Sequence, residues 1–171
     1  SHNYNISIPR VDLSNVDFEK ILESKEVQIG KIEIIKPEIE YYLKKHKQNK
    51  NNDEKIFTKL DLFPLLKGKL ESVEIDTFSI TNGDIRIYKA PVFNEPNISS
   101  KDFSIELYNF FLDSNSINND KKILYADDIE LLFKDYSLQL KNNQILNSKE
   151  IKLSTALSEI IAKDIEIISK N

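Results

Sequence analysis

Few residues of this chain are of the types that carry out acid–base, nucleophilic or metal chemistry. Its 171 residues include two histidines and no cysteine, which excludes disulfides, thiolate catalysis and cysteine zinc sites. His2 stands in a Ser1-His2 start that indicates the remnant of a cleaved tag. His46 lies between Lys45 and Lys47, whose positive charge disfavours metal binding, so a solvated loop is the better interpretation.

Asp127 and Asp128 form the most conspicuous acidic pair. Paired carboxylates can serve acid–base chemistry or hold a hard cation, but adjacent residues of a strand point to opposite faces, so a bulge or turn is favoured here. The three glycines, Gly30, Gly68 and Gly83, lie too far apart to form a phosphate loop. The sequence therefore predicts a non-enzymatic protein with no catalytic residue, no cofactor and no metal.

The overall charge also narrows the range of functions that the chain can have. A net charge of -4, with 40% hydrophobic and 30% charged residues, is typical of a folded, soluble domain and gives no basic excess for nucleic acid. The lysine-rich stretch 44–50 could attract phosphates or lipid head groups, although a solvated loop is the favoured alternative. No apolar run approaches the roughly 20 residues that span a bilayer, and no signal-peptide pattern opens the chain.

Any site must be positioned by strands and helices of the fold. One apolar pattern that recurs along the chain predicts where these elements lie. The first copy comprises Val27, Ile29, Ile32 and Ile34, followed by Ile39 and Tyr41. Adding 46 to each number gives Val73, Ile75, Phe78, Ile80, Ile85 and Ile87. Adding 97 gives Leu124, Ala126, Ile129, Leu131, Tyr136 and Leu138. The four-residue core recurs at Ile105, Leu107, Phe110 and Leu112, and again at Ile160, Ala162, Ile165 and Ile167.

Alternation with period two predicts strands that bury one face. The three-residue step in the middle of each copy would move the second pair to the other face, unless a bulge restores it. We therefore expect bulges or kinks near Gly30-Lys31, Asp76-Thr77 and Asp127-Asp128, with a two-residue hairpin at each break as the alternative. Segments 35–38, 81–84 and 132–135 separate the two arms of each longer copy. Asn82-Gly83 is the clearest hairpin signal among them.

The expected fold is mainly β with short helices (α+β), in which repeated bulged β-hairpins form a curved antiparallel sheet. Helical segments are expected at 17–23 and 61–67, and surface loops at 44–54 and 113–122. One module then spans 1–171, with repeats near 16–43, 62–90, 103–112, 123–141 and 151–168. Its apolar face forms either an open groove or a closed core. The candidate residues of that face are Ile29, Ile32, Ile34, Ile75, Phe78, Ile80, Ile129 and Leu131.

The stretches VQIGKIEIIKPEIEYY, LESVEIDTFSITNGDIRIY and ILYADDIELLFKDYSLQL resemble the repeats of AsmA-like envelope proteins, a superfamily that includes TamB-type and chorein-related bridge proteins. The resemblance covers roughly residues 8 to 140. It implies a periplasmic protein, anchored in the inner membrane by a helix missing from this chain, whose curved sheet holds lipid acyl chains. The bias towards lysine, asparagine and isoleucine resembles proteins of AT-rich bacteria such as the Bacteroidota. A chain this short would form only a stub of such a groove.

Two functions follow as expectations. The first is a non-catalytic AsmA-like envelope module in lipid transport or outer-membrane biogenesis, with phospholipid or another lipid and envelope proteins as partners. It would bind no nucleic acid, and it would meet the membrane only through the missing segment. The alternative is a structural or protein-interaction scaffold that pairs through its strand edges.

Overall fold

The computed structural model describes residues 3–43, 69–90, 94–116, 124–140 and 143–169. The expected helix at 61–67, the expected loop at 44–54 with His46 and the lysine-rich stretch, and most of the expected loop at 113–122 lie outside these ranges. The helix in the described ranges is α1, Phe18–Glu23. The strands are β1 Asn3–Ser7, β2 Arg10–Val16, β3 Glu26–Ile35, β4 Glu38–Leu43, β5 Ser72–Lys89, β6 Ile98–Asp113, β7 Asp128–Gln139, β8 Gln144–Ser154 and β9 Glu159–Ser169.

The nine strands of the described ranges belong to one open sheet, which confirms the expected mainly β fold with a curved sheet. β1 and β2 follow one another along one edge, where β1 pairs with β4 and β2 with β3. β3 and β4 both pair with β5. The sheet then continues in order through β6, β7 and β8 to β9 at the other edge. Every pairing is antiparallel except those of β3 and β4 with β5, which are parallel, so the sheet is mixed and the expectation of a wholly antiparallel sheet is wrong.

The repeat found in the sequence is the pairing register between β3–β4 and β5. Residues 46 positions apart are direct Cα partners, from Val27 with Val73 to Ile34 with Ile80. The same offset continues in β4, where Ile39 partners Ile85 and Tyr41 partners Ile87. Equal spacing of the apolar residues in the two copies lets each side chain lie beside its equivalent on one face.

Kinks near Gly30 and Asp76 occur as expected, but they leave the register unchanged. Gly30 and Asp76 lie at the same level of the sheet but are not partners in the β3–β5 ladder. Ile29 and Ile32, on either side of this gap, still pack in one hydrophobic cluster. At the same level of the sheet Asn15 of β2 and Asn109 of β6 have positive φ angles of 55° and 53°. Each of these neighbouring strands therefore has an additional residue at the same level of the sheet, and the strands bend together there.

The expected hairpin at Asn82-Gly83 is wrong. Both residues lie inside β5, which runs without a turn from Ser72 to Lys89, and the β5–β6 register shifts on either side of Gly83. Asn82 has the positive φ, 54°, that the sequence signal implied, but a β-bulge uses it.

The other two expected turns are corrected in the same way. Segment 132–135 lies inside β7. Segment 35–38 spans the junction of β3 and β4, which follow one another along β5. The two arms of a copy therefore follow one another along the same neighbouring strand, as parts of β5 in the second copy and as two strands, β3 and β4, in the first.

Asp127 and Asp128 lie at the start of a strand. Asp128 is the first residue of β7, and the Asp127 backbone N–H donates to the Tyr108 carbonyl oxygen at 3.0 Å. Leu124 and Tyr125 have positive φ angles of 52° and 62°, so the chain turns just before this pair. The expected kink is present as a bend at Asp127, between the bridge residue Ala126 and the start of β7, and pairing with β6 continues on both sides of it.

Helix α1 matches the expected segment. Its N-cap is Asp17, whose carboxylate accepts the Lys20 backbone N–H at 3.0 Å, as capping carboxylates do. Phe18 and Leu22 remain exposed, and α1 contacts β3. The helix therefore closes the β2–β3 connection without covering the sheet. No helix in the described ranges is long and apolar enough to span a membrane.

Two buried clusters form the core on the apolar face. The larger contains Ile29, Ile75, Phe110, Leu112 and Tyr125. The smaller contains Leu107, Ala126 and Ile129, and Phe78 packs against both. Together they place the best-packed region in the central strands, around β5 and β6.

Candidate functional site

The eight candidate residues of the apolar face are brought together in three rows across β3, β5 and β7. The rows begin as Ile29 with Ile75, Ile32 with Phe78, and Ile34 with Ile80. Two of them continue through β6 to β7. Leu107 links Phe78 to Ile129, and Ile105 links Ile80 to Leu131. Since direct partners point to the same face, these side chains form one apolar surface.

Burial decreases along this surface. Ile29, Ile75 and Ile129 are buried. Ile32, Phe78 and Leu131 are partly buried and pack against the two clusters. Ile34 and Ile80 are also partly buried. The row through Ile34 and Ile80 is therefore the more accessible part of the predicted face.

The apolar surface extends well beyond the eight predicted residues, because two rows cross the whole sheet from edge to edge. The first, called the upper row here, is Val11, Ile34, Ile80, Ile105, Leu131, Leu153 and Ile160. The second, the lower row, is Tyr4, Tyr41, Ile87, Ile98, Leu138, Leu146 and Ile167. At the two ends of the upper row Val11 is 50% exposed and Ile160 73%. The face is therefore mainly apolar and open to solvent at both edges.

An aromatic cluster between these rows was missed by the sequence reasoning. Phe103 is only 2% exposed, and its ring centroid lies 6.4 Å from that of Phe133, which lies 6.3 Å from that of Tyr136. Burial raises the pKa of Tyr136. Phe133 falls in the segment expected to be a turn, and a large aromatic residue at that position was the available sign of a continuous strand.

The opposite face is polar and carries a row of carboxylates. That row runs Asp12, Glu33, Ser79, Glu106, Glu130, Ser154 and Glu159. Neighbouring strands lie about 4.8 Å apart, so the carboxylates would repel one another without partners.

Most of these carboxylates have a partner of their own. Arg10 binds Asp12 at 2.8 Å, Lys31 binds Glu33 at 3.1 Å, and Lys152 lies 4.0 Å from Glu130. The hydroxyl of Tyr108 donates to Glu106, and this bond raises the pKa of Tyr108 to about 12. The polar face is thus neutralised locally and suited to contact with water.

The described ranges contain no group of three or more His, Cys, Asp or Glu residues that could hold a metal ion. The bond to Glu106 raises the pKa of Tyr108 to about 12, further from neutral pH than that of an ordinary tyrosine, so Tyr108 is poorly suited to general acid–base work. Asp127 is exposed and Asp128 begins a strand, so they form no converging pair in a cleft. What the arrangement can do best is contact apolar groups.

The fold and this face define the chain, in its described part, as a single-layer open β-sheet with one apolar and one polar face. Comparison with protein-family models, with curated proteins and with solved structures found no match to this chain.

Proposed function

We propose that the chain is a non-catalytic module of a bacterial cell envelope that holds the acyl chains of a lipid against the apolar face of its sheet. The observation that carries the proposal is the pair of apolar rows that cross the sheet from edge to edge. In the described ranges these rows have no second layer of strands or helices over them. Apolar surface left in water is unfavourable by roughly 25 cal/mol per Å², so a bound acyl chain would stabilise the protein.

The shape of the face suits an extended apolar ligand. Rows of side chains on neighbouring strands make a continuous strip, whereas a compact ligand pocket is an enclosed cavity. The polar face, with its partnered carboxylates, would remain in water. The resemblance to AsmA-like and TamB-like envelope proteins supports the same proposal, and with it a periplasmic location in a protein anchored to the inner membrane.

The test uses two neighbouring leucines of β7 that point to opposite faces. Leu131 partners Ile105 on the apolar face, and Leu132 partners Ser104 on the polar face. Both are partly buried, so Leu131→Lys and Leu132→Lys change the same residue type at similar depth. Circular dichroism would first show that both variants keep the sheet.

Each protein is incubated with vesicles of phosphatidylethanolamine and phosphatidylglycerol, separated from them, and examined by native mass spectrometry for bound phospholipid. We expect lipid on the unmodified chain and on Leu132→Lys, and at least about a tenfold loss on Leu131→Lys, which corresponds to about 1.4 kcal/mol. A chain that carries no lipid, or an equal loss in both variants, would contradict the proposal.

A further inference from the structure

The two edges of the sheet expose apolar side chains of the same face. On β1 and β2 these are Tyr4, Ile6, Val11 and Leu13, and on β9 they are Ile160, Ile165 and Ile167, all between 50% and 73% exposed. Sheet edges are ordinarily protected by proline, inward-pointing charge or short length. β9 has 11 residues and no proline, so its free edge is a template for another strand.

The directions of the two edges are complementary. β1 and β2 run antiparallel to β4 and β3, which run parallel to β5. The four antiparallel pairings from β5 to β9 leave β9 running in the direction of β5. β9 is therefore antiparallel to β1 and β2, and the two edges can pair as ordinary antiparallel neighbours.

The register of the two edges is also complementary. The upper row ends at Val11 on one edge and Ile160 on the other, and the lower row ends at Tyr4 and Ile167. Val11 and Tyr4 are seven residues apart, as are Ile160 and Ile167. If β9 of one molecule lay beside β1 and β2 of another, Ile160 would face Val11 and Ile167 would face Tyr4 with no register shift between them.

The polar face continues in the same register. Its edge residues Asn5 and Glu166 end one row that crosses the sheet, and an amide opposite a carboxylate can donate a hydrogen bond to it. Asp12 and Glu159 end the acidic row and would lie opposite each other, where their like charges repel. Arg10, which already binds Asp12 at 2.8 Å, supplies the neighbouring cation.

We propose that the chain associates head to tail with a second copy of itself, β9 of one copy pairing antiparallel with β1 and β2 of the next. The pair of copies then keeps one free edge of each kind, so the contact is heterologous and leads to an open chain of molecules. The apolar rows continue from copy to copy, and the apolar face becomes longer than a single molecule provides.

A two-fold pairing of β9 with β9 is less favourable. Aligning the apolar faces, with Ile160 opposite Ile167, would place Glu166 opposite Ile161 and Glu159 opposite Ile168. A carboxylate opposite an isoleucine gains no partner. The head-to-tail arrangement instead gives Glu166 the Asn5 amide.

Disulfide trapping tests the register directly, because the chain has no cysteine of its own. A Val11→Cys protein is mixed with an Ile160→Cys protein that carries a mass tag, in a glutathione redox buffer. The control replaces Ile160→Cys by Ile161→Cys, one residue out of register and on the other face. We expect the Val11–Ile160 cross-link to form about tenfold faster than the control, since a disulfide needs Cβ atoms that point towards each other.

Three results would overturn the proposal. These are equal rates for the matched and control pairs, a predominance of Ile160→Cys homodimers, or sedimentation of the unmodified chain as a monomer at every concentration up to its solubility limit. Because all three cysteine positions are exposed or partly exposed on outer strands, each variant is expected to fold, and circular dichroism can verify this before mixing.

Discussion

The hydroxyl of Ser100, in β6, donates a hydrogen bond to the backbone carbonyl oxygen of Lys134, in β7, at 2.8 Å. The β8–β9 pair repeats this contact, where Ser148 donates to the carbonyl oxygen of Lys163, also at 2.8 Å. Both serines are buried, and each accepting residue directly precedes an aspartate with positive φ, Asp135 or Asp164. A side-chain hydroxyl thus satisfies a carbonyl where the strand kinks and the ladder is interrupted.

Ser100→Ala is expected to destabilise the fold by about 1–3 kcal/mol, because it leaves a buried carbonyl without a donor. Ser148→Ala should cost less, since water can reach β9, the outer strand. As a control, Lys163→Ala removes an exposed ion pair with Glu150 and should cost about 0.2–1 kcal/mol. Urea unfolding measures all three. A larger loss for Lys163→Ala than for Ser100→Ala would show that the hydroxyl contacts do not support the kinks.

Phe103→Ala is expected to cost about 3–5 kcal/mol, the range for a buried phenylalanine whose removal leaves a cavity. Phe103 is 2% exposed and stacks on Phe133. Phe18, which is 69% exposed on α1, provides the matched control, and Phe18→Ala should change the free energy of unfolding by less than about 0.5 kcal/mol. Similar losses in the two variants would mean that the aromatic cluster is not part of the core.

Gly83→Ala is expected to destabilise the protein by about 1–3 kcal/mol through overpacking. A Cβ at position 83 would lie 2.6 Å from Cζ of Phe103, so the ring would have to move. Shortening that ring should relieve the conflict, and Gly83→Ala should therefore cost less in a Phe103→Leu background. A double-mutant cycle of unfolding free energies measures the coupling, and a coupling energy of zero would contradict the contact.

Tyr108 should make stability depend on alkaline pH. Its bond to Glu106 raises its pKa to about 12, above the value near 10 of an unfolded tyrosine. The folded state then retains a proton that the unfolded state loses, so this contribution is complete below about pH 10 and disappears as the pH rises towards 12. The free energy of unfolding should fall more steeply above pH 10 in the unmodified protein than in Tyr108→Phe. Identical slopes would contradict the assignment.

The sequence predicted the fold class and the recurring apolar pattern, but it did not predict which strands pair. The 46-residue offset proved to be a pairing register because equal apolar spacing lets equivalent residues such as Ile34 and Ile80 lie side by side. The direction of that pairing was not predictable, since a parallel and an antiparallel neighbour demand the same alternation. The sequence therefore located the eight residues of the apolar face but not the strands that join them.

Asn82-Gly83 shows why the turns were assigned wrongly. A tight hairpin turn and a bulge both favour asparagine and glycine, since both require positive φ or a missing side chain. Here Asn82 supplies the positive φ, while Gly83 is small because Phe103 packs against it. That reason depends on a residue 20 positions away in another strand, which local sequence patterns do not reveal.

The parallel register also sets an order for folding. β7 and β8, like β8 and β9, are joined by only four residues, whereas β3 meets β5 across a separation of 46. The entropy lost on closing a loop increases with its length, and pairings distant in sequence form more slowly. We expect the strands from β5 to β9 to assemble first and the β1–β4 unit to dock last. The nascent sheet would then present the β9 edge before the edge formed by β1 and β2 exists.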